Sequence, residues 1–451
     1  MALSASSVWE TEVGGSDTNG GGFVTGSSGT DWTQQSAAQY SLTNGVTNGT
    51  TTVATVSASS DMVGNIAYIA GGTGSITAGW YQIVSQVTGV SITVDRSTGL
   101  TTGTGVTITI GGALLSPAIA AANATVVNML IYVKYNASVF AITSASTNVA
   151  AGCVSLFAGV AMIGYNTTRT AANTDALQPT LQLQVSTATL LTAHSAADGC
   201  IYVNLVCDGN SQTTSRLNSI NAPYILRSTF KNFTGAAGSA DCLYCYATTN
   251  SANIFGGTSI FCEATANTAT PFFASTSGSS FFGCLSYGNT GASTDGFGGG
   301  SSPVANSYVN CSSYNNGRHG FFLSGGTRSI AAVNCVATGN GGYGFVWSVT
   351  AASICLNCAA YNNTSGAQSG SAAVTIGFIT LTADPFVASA SSNFALNNNA
   401  GGGALLRAAG FPATWPSGNT ADYIDVGAAQ HQDSPATIIA MSRYILEEQV
   451  L

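Results

Sequence analysis

The chain has 451 residues, and only 6% of them are charged, whereas an ordinary globular domain carries roughly 25% charged residues. Because 45% of the residues are apolar, the composition excludes a disordered chain, which is poor in such residues. Ten Lys and Arg residues against 18 Asp and Glu give a net charge of −8, so a basic surface for nucleic acid is not expected. A chain of this length forms one elongated domain or two to three compact domains.

The N-terminus lacks the basic and apolar regions of a secretory signal peptide. The most apolar stretch, residues 118–133, is interrupted by Asn123, Thr125 and Asn128 and falls short of the roughly 20 apolar residues that span a membrane. We therefore expect no membrane insertion. Eleven cysteines, an odd number in a long chain, favour buried free thiols over a secreted disulfide framework.

Residues 1–115 are predicted to form a β-rich N-terminal domain. Strands are expected at residues 80–84, 90–94 and 106–110, where branched and aromatic residues are concentrated between Gly, Ser and Thr turns. The glycine-rich residues 14–22 have no lysine after them and no strand–helix context. They indicate a flexible or tight loop rather than a phosphate-binding loop.

Residues 116–410 contain an internal repeat. An asparagine stands five positions after each of six anchor residues, and a small or apolar residue stands two positions after each anchor. An aromatic residue, usually preceded by glycine, follows further on. The anchors are Cys262, Cys284, Cys311, Cys335, Cys358 and Phe394; the asparagines are Asn267, Asn289, Asn316, Asn340, Asn363 and Asn399; the aromatic residues are Phe272, Phe297, Phe321, Phe345 and Phe378.

This repeat predicts a β-solenoid in which each unit forms one coil of short strands. Side chains alternate along a strand, so each anchor and the residue two positions later point into the interior. The asparagine marks a turn, where it tolerates left-handed backbone and bonds the nearby chain. Coils stacked about 4.8 Å apart then bring the asparagine amides into a ladder. The glycine before the aromatic residue permits a second sharp corner.

Three segments carry a family resemblance: Asn-Cys-Ser-Ser-Tyr-Asn-Asn at 310–316, Asn-Cys-Val-Ala-Thr-Gly-Asn at 334–340 and Asn-Cys-Ala-Ala-Tyr-Asn-Asn at 357–363. They resemble the coils of right-handed parallel β-helices of the pectate-lyase-like superfamily. Residues 15–23, 29–32 and 80–84 are similar to β-helix proteins of bacteriophage and metagenomic origin. The resemblance implies an all-β, right-handed parallel β-helix over residues 116–410, of the kind found on virions as tailspikes, fibres or head decorations.

Residues 411–451 are predicted to form a separate C-terminal segment. Pro412, Trp415 and Pro416 end the repeat. Ser434 and Pro435 are typical of a helix N-cap and first helical position. One face of the predicted helix carries Ile438, Met441 and Ile445. It either caps the open end of the solenoid or serves as a docking or trimerisation element.

Enzymes of the resembling family act on polysaccharides with carboxylates. Asp241 and Glu263 are one coil apart in sequence and could stack, and a retaining pair would need to be about 5–5.5 Å apart. The simpler interpretation is two unrelated surface acids.

A second candidate is the column Asp295, His319 and Tyr343, with Arg318 beside the histidine. An Asp–His pair on successive coils could orient a general base. The alternative is a polar corner with a solvated histidine. The pairs Cys242/Cys245 and Cys355/Cys358 are too far apart in sequence to share a zinc ion, so no metal and no cofactor are expected.

The sequence as a whole favours a non-enzymatic structural protein on the exterior of a phage virion, as a capsid decoration, spike or fibre. The expected partners are sister subunits in a homotrimer, other virion proteins and a host surface glycan. The alternatives are a receptor-binding tailspike that depolymerises a glycan and an extracellular adhesin, which the missing signal peptide disfavours. The cysteines and asparagines of the repeat are assigned a structural role.

Overall fold

The computed structural model describes residues 7–54, 56–99, 101–143, 152–169, 177–186, 188–193, 199–218, 223–236, 240–274, 278–299, 305–323, 329–347, 352–410 and 424–430. The chain divides into two compact units, residues 1–206 and 207–451. With 45% strand and 4% helix, the predicted all-β class is confirmed.

The first unit begins with a strand pair followed by a closed six-stranded barrel. Strands β1 and β2 are antiparallel, and the barrel order is β3-β4-β7-β6-β5-β8. The barrel encloses buried aliphatic side chains such as Ile69, Ile83 and Ile108. The predicted strands at 80–84, 90–94 and 106–110 fall in β6, β7 and β8. The bounds are β1 (Ser7–Thr11), β2 (Gly22–Val24), β3 (Tyr40–Asn48), β4 (Thr52–Ala54), a 3₁₀ turn (Ser60–Met62), β5 (Ile66–Ala70), β6 (Gly79–Val87), β7 (Ser91–Val94) and β8 (Thr102–Ile110).

A short helix and a series of parallel strands complete this unit. Ser116 caps helix α1 by accepting the Ile119 N–H at 3.3 Å, and the helix is too short for its periodicity to show in the sequence. Strand β1 pairs in parallel with β9, β9 with β12, and β12 with β15. This sheet therefore crosses the boundary that the sequence predicts after residue 115. The bounds are α1 (Pro117–Asn123), β9 (Leu130–Lys134), β10 (Phe140–Ile142), β11 (Gly152–Leu156), β12 (Ala161–Tyr165), β13 (Thr180–Leu183), β14 (Thr189–Ala193) and β15 (Ile201–Val203).

In the second unit, successive coils add strands to three parallel sheets. The first sheet is β18-β20-β22-β25-β28-β31-β34-β37, the second is β19-β21-β23-β26-β29-β32-β35-β38, and the third is β24-β27-β30-β33-β36. The one-coil register of these parallel strands confirms the predicted β-solenoid.

The strands of the second unit are mostly three to five residues long. Their bounds are β16 (Val206–Asp208), β17 (Arg216–Asn218), β18 (Tyr224–Leu226), β19 (Thr229–Lys231), β20 (Asp241–Leu243), β21 (Tyr246–Thr248), β22 (Thr258–Ile260), β23 (Glu263–Thr265), β24 (Phe272–Ala274), β25 (Ser279–Phe282), β26 (Leu285–Tyr287), β27 (Phe297–Gly299), β28 (Asn306–Val309), β29 (Ser312–Tyr314), β30 (Phe321–Leu323), β31 (Ser329–Val333), β32 (Val336–Thr338), β33 (Tyr343–Trp347), β34 (Ala352–Leu356), β35 (Ala359–Tyr361), β36 (Gly366–Ser369), β37 (Val374–Ile376), β38 (Ile379–Thr380), β39 (Phe386–Ala388) and β40 (Asn393–Leu396), with 3₁₀ turns at Ser389–Ser391 and Gly403–Leu405.

Two columns of identical side chains fill the interior of the second unit. Phe255, Phe272, Phe297, Phe321 and Phe345 stack with ring centroids 4.6 to 4.8 Å apart, which matches the spacing between coils. A thiol column faces them from the start of each strand of the second sheet. Its members are Cys245, Cys262, Cys284, Cys311, Cys335 and Cys358, all buried and reduced. Burial raises the pKa of Cys262, which keeps this thiol protonated.

The asparagine ladder runs along the next corner. In each step, one Oδ1 accepts both the backbone N–H and the side-chain amide of the asparagine one coil earlier, as Asn340 Oδ1 does from Asn316 at 3.0 and 3.1 Å. The ladder contains Asn250, Asn267, Asn289, Asn316, Asn340 and Asn363. Asn250 belongs to the ladder, although the predicted repeat begins one coil later, at Cys262.

The ladder asparagine and the glycine before the aromatic residue have roles that differ from those predicted. The left-handed residue is the one before the ladder asparagine, for example Asn315 with φ of 48°, so the ladder side chain is free to bond the next coil instead of its own turn. The glycine before the aromatic residue is needed for space. A Cβ on Gly320 would lie 2.7 Å from the Gly344 carbonyl oxygen and 2.8 Å from Cβ of Ala337.

The prediction that Phe394 is the sixth anchor was wrong. Strand register aligns Ile379 with Ala359, so Phe378 takes the position of Cys358 and is the last anchor of the solenoid. Phe394 lies instead in the antiparallel hairpin β39–β40, and Asn399 is exposed beyond it. The Gly377-Phe378 pair follows a long insertion, so spacing alone allows Phe378 to be either the aromatic residue of one unit or the anchor of the next.

The hairpin belongs to a strap, described over residues 381–410 and 424–430, that folds back over the outer face of the second sheet. Phe394 packs on Tyr287 and Tyr314, with ring centroids 4.9 and 5.6 Å apart. Val336, on the outer face of β32, is fully buried beneath the strap. The predicted helix with Ile438, Met441 and Ile445 lies outside the described residues.

We expect Asn340→Ala to lower the free energy of unfolding by at least about 2 kcal/mol, because three buried donors on Asn316 and Ser313 would lose their acceptor. Denaturant unfolding measures this change. Asn399→Ala is the matched control and should shift the free energy by less than about 0.5 kcal/mol. Equal effects of the two substitutions would contradict a stabilising ladder.

Candidate functional site

The structure brings Asp295, His319 and Tyr343 together at one corner of successive coils. Each lies two residues before a ring of the phenylalanine column, and the register of β27, β30 and β33 places Phe297 opposite Phe321 and Phe321 opposite Phe345. Asp295 accepts the backbone N–H of His319 at 3.1 Å, and His319 Nδ1 accepts the backbone N–H of Tyr343 at 3.0 Å. The predicted column therefore exists, and backbone groups link it.

The Asp295 carboxylate is fully used by protein donors. Arg318 donates from Nε to Oδ1 at 2.8 Å and from Nη2 to Oδ2 at 2.5 Å. Asp295 is buried, and its hydrogen bond raises the pKa of Arg318. This bidentate pair fixes the arginine over the ring of Phe322, at 4.7 Å from the ring centroid.

His319 is oriented the wrong way for an Asp–His base pair. In such a pair the carboxylate accepts Nδ1–H and leaves Nε2 as the base. Here Nδ1 is itself the acceptor, so the neutral ring carries its proton on Nε2. Burial lowers the pKa of His319, which favours this neutral form. The candidate general base is therefore not assembled, because the imidazole accepts a backbone N–H at the coil corner.

Asp241 and Glu263 do not stack and form no carboxylate pair. Asp241 lies in the first sheet, and its carboxylate accepts the Thr258 N–H at 3.0 Å. Glu263 lies in the second sheet, opposite Tyr246, and accepts the Tyr287 hydroxyl at 2.7 Å. One coil here spans 17 residues, as the pairing of Tyr246 with Glu263 shows, so an interval of 22 residues carries the chain past the first sheet and into the second.

The Cys-x-x-Cys pairs span the corner between the first and second sheets and point inward. Cys242, Cys245, Cys355 and Cys358 are all buried. Among the described residues, no group of three or more His, Cys, Asp or Glu side chains is placed to hold a metal ion. In the part of the chain that the structure covers, no helix is both long and apolar enough to cross a membrane.

A buried charged cluster in the first unit was missed by the sequence analysis. Glu10, in the middle of β1, is fully buried and accepts the Tyr165 hydroxyl at 2.5 Å and Arg169 Nε at 2.7 Å. Arg169 also donates to Asp31 at 3.0 Å and to Thr33 at 2.5 Å. The cluster joins the first strand, the loop after β2 and the segment after β12.

Glu10 has an unusual ionisation. Burial raises its pKa to about 7, while the charge of Arg169 and the hydroxyl of Tyr165 oppose that rise. Its carboxylate has both oxygens occupied and no exposed surface, so a substrate cannot reach it. The arrangement stabilises the fold. The available sequence signal was a lone acid within Ser-Val-Trp-Glu-Thr, all five residues of which are buried.

One outward-facing group in the second unit combines aromatic and charged side chains. The His319 ring stacks on Phe322 and on Tyr343, with centroids 5.7 and 6.0 Å apart. Arg318 covers the other part of Phe322, and its side chain is 37% exposed. This aromatic corner is a partly exposed flat surface edged by polar groups.

We expect the second unit to lose stability as the pH falls below about 6.5, the ordinary histidine value. The folded-state pKa of His319 lies below that value, so its contribution is complete above pH 6.5 and is lost as the pH falls through the folded pKa. His319→Asn retains an acceptor near the Nδ1 position and does not titrate. Unfolding at pH 7 and pH 5 should show a smaller acid loss in the variant. The same loss in both proteins would contradict this role.

We expect Glu10 to give stability the opposite pH dependence. Its folded pKa of about 7 exceeds the ordinary value of 4.5, so between these values the native state holds a proton that the unfolded chain has released. Stability should therefore fall by up to about 3 kcal/mol as the pH rises from 4.5 to 7 and stay constant above that. Glu10→Gln should remove this slope in unfolding measurements across that range. An unchanged slope would show that Glu10 ionises normally.

Comparison with known proteins finds no relative by sequence and finds solved structures of low similarity. No protein-family model matches the sequence, and no curated protein matches it. A pectate lyase, Pel9A, is 15% identical over 71% of this chain and 92% of its own, with a TM-score of 0.44. The A-module of the mannuronan C-5 epimerase AlgE6 from Azotobacter vinelandii is 13% identical over 56% of this chain and 91% of its own, with a TM-score of 0.35. A GH87 alpha-1,3-glucanase catalytic domain solved with nigerose is 9% identical over 76% of this chain and 89% of its own, with a TM-score of 0.29. These three chains are parallel β-helix folds.

Proposed function

We propose that this chain is a non-enzymatic structural protein on the exterior of a phage virion, as a capsid decoration, spike or fibre. The observation that carries the proposal is that every candidate catalytic group already bonds a protein partner. Asp295 holds Arg318, Glu263 holds the Tyr287 hydroxyl, and Asp241 holds the Thr258 amide. Carboxylates bound in this way stabilise coil corners and are not positioned as a catalytic pair.

The solenoid itself suits a structural role. Its interior repeats the same contacts at every coil, with stacked phenylalanines and the asparagine ladder. Because each coil is held by its neighbours on both sides, stability accumulates along the axis. A surface with few Lys and Arg residues offers few cleavage sites to trypsin-like proteases, which favours an exposed position on a particle.

The aromatic corner supports a second candidate, a tailspike that binds and depolymerises a host glycan. Phe322, His319 and Tyr343 offer stacked rings, and Arg318 supplies hydrogen-bond donors beside them. An apolar platform with a few convergent polar groups is a common ligand-binding arrangement. This candidate differs from the first in requiring bond cleavage.

Incubation with capsular polysaccharide or lipopolysaccharide from candidate hosts distinguishes the non-enzymatic protein from the depolymerase. We expect no release of oligosaccharide by mass spectrometry, because the described acids are engaged in structural bonds. Asp295→Asn and Glu263→Gln are the matched variants. Release by the natural chain that disappears in either variant would overturn the non-enzymatic proposal and establish the depolymerase.

Particle association is tested directly. Antibodies against the purified chain should label intact virions in electron micrographs, and sedimentation should give the mass of a homotrimer. Labelling that is absent from particles made by the same genome would contradict the virion assignment. A monomeric mass would contradict the proposed partnership with sister subunits.

A further inference from the structure

The corner between the first and second sheets has an unusual composition. One residue per coil occupies this column, and all of them have left-handed backbone. The column runs Arg227, Tyr244, Phe261, Gly283, Asn310, Asn334, Asn357 and Gly377, with φ between 47° and 67°. Asparagine and glycine are the residues that adopt this conformation readily, whereas a bulky side chain there is an outlier.

Tyr244 and Phe261 therefore occupy a strained position that the later coils give to asparagine or glycine. Such strain persists only where the surrounding structure compensates for it, and it points to a role for the side chain. The two rings stack at 5.2 Å, and Phe261 meets Phe282 edge-on at 5.8 Å. Leu243 and Ile260 stand next to them in the outer row of the first sheet. Together these five side chains form an apolar corner stripe along three coils.

The strap runs along this same corner toward the stripe. Asn357 Nδ2 donates to the Ala409 carbonyl at 2.9 Å, and one coil earlier the Gly427 N–H donates to the Asn334 carbonyl at 2.8 Å. One coil earlier again, Asn310 Nδ2 donates to the Asp425 carbonyl at 3.0 Å. From Ala409 to Asp425 the strap therefore moves from the Asn357 coil to the Asn310 coil, and Gly427 bonds both the Asn334 and the Asn310 coils.

The strap reaches this coil just before its described part ends. The Ala428 N–H donates to the Ser312 hydroxyl at 2.8 Å, and the described residues stop at Gln430. The next positions on the same corner are Gly283, Phe261 and Tyr244.

We propose that residues 431–451 of the same chain dock on the apolar corner stripe, with Ile438, Met441 and Ile445 against Tyr244, Phe261 and Phe282. This goes beyond the proposed function and does not depend on it. The Asn310 coil and the Tyr244 coil are three steps apart, or roughly 14 Å at about 4.8 Å per coil. A helix from residue 436 to 447 would be roughly 18 Å long and would cover that distance.

Charge also agrees with this assignment. The stripe carries no charged side chain, and Arg227 stands on the next coil beyond Tyr244. The segment ends Glu-Glu-Gln-Val-Leu, so its acidic residues follow the apolar face and arrive near the Arg227 end of the stripe. Opposite charges at that end favour the direction in which the strap already runs.

Photo-crosslinking of the full chain tests the contact. Benzoylphenylalanine placed at position 441 should crosslink to the peptide that contains Tyr244 or Phe261, as mapped by mass spectrometry. A mixture of ¹⁴N- and ¹⁵N-labelled chains should give crosslinks within one isotopic species only. Mixed-isotope crosslinks would assign the stripe to a second copy and overturn docking within one chain. Crosslinks elsewhere, or none, would overturn the docking site.

Proteolysis tests the same contact without the photoprobe. Trypsin should cleave slowly after Arg443 while the segment is docked, and the double variant Tyr244→Asn with Phe261→Asn should raise that rate at least about tenfold, since two aromatic contacts are lost. Asparagine occupies this column in three later coils, so the variant relieves backbone strain and is expected to fold. Phe273→Asn, on the outer face of the third sheet, is the matched control and should leave the rate unchanged. An equal rate in the natural chain and the double variant would contradict the proposal.

Discussion

The second unit depends on one constraint, the repeat of identical contacts at the spacing of one coil. A parallel sheet sets that spacing, because adjacent strands lie about 4.8 Å apart. Planar rings and planar amides both stack well at this distance. The phenylalanine column keeps centroids 4.6 to 4.8 Å apart, and the amide ladder closes its hydrogen bonds over the same interval. The solenoid therefore packs without the varied side chains of a globular core.

The ladder explains how so polar a chain buries so much of itself. Asn267, Asn289 and Asn340 have no exposed surface, and an unpaired buried amide would be costly. From Asn267 to Asn363, each oxygen accepts two donors from the asparagine of the preceding coil. Several amide nitrogens also donate to a nearby acceptor, as Asn250 does to the Phe230 carbonyl. Because every member satisfies its neighbour, adding coils adds no unpaired group inside the column. The exceptions are at the two ends, where the ladder needs other partners.

Buried charged groups are likewise satisfied by hydrogen bonds within the protein. With so few charges in the chain, the buried ones are held by several partners each, as Glu10 is by Tyr165 and Arg169, and Asp295 is by Arg318 and a backbone amide. A carboxylate that is bonded on both oxygens fixes the chain locally and is poorly placed to attack or protonate a substrate.

The sequence by itself determined the fold class and the Cys and Asn columns of the later coils, because a repeat places the same residue in the same environment and the pattern of Cys and Asn is visible without coordinates. It also placed Asp295, His319 and Tyr343 at one corner.

Only the tertiary structure decided what these residues do there. The tautomer of His319 follows from a backbone N–H one coil away, and the separation of Asp241 from Glu263 follows from which strand of the coil each occupies. The Glu10 cluster joins residues more than a hundred positions apart with no shared period, so no spacing in the sequence could reveal it. Phe378, and not Phe394, is the last anchor because strand register, which depends on hydrogen bonding between coils, resolves an ambiguity that spacing leaves open.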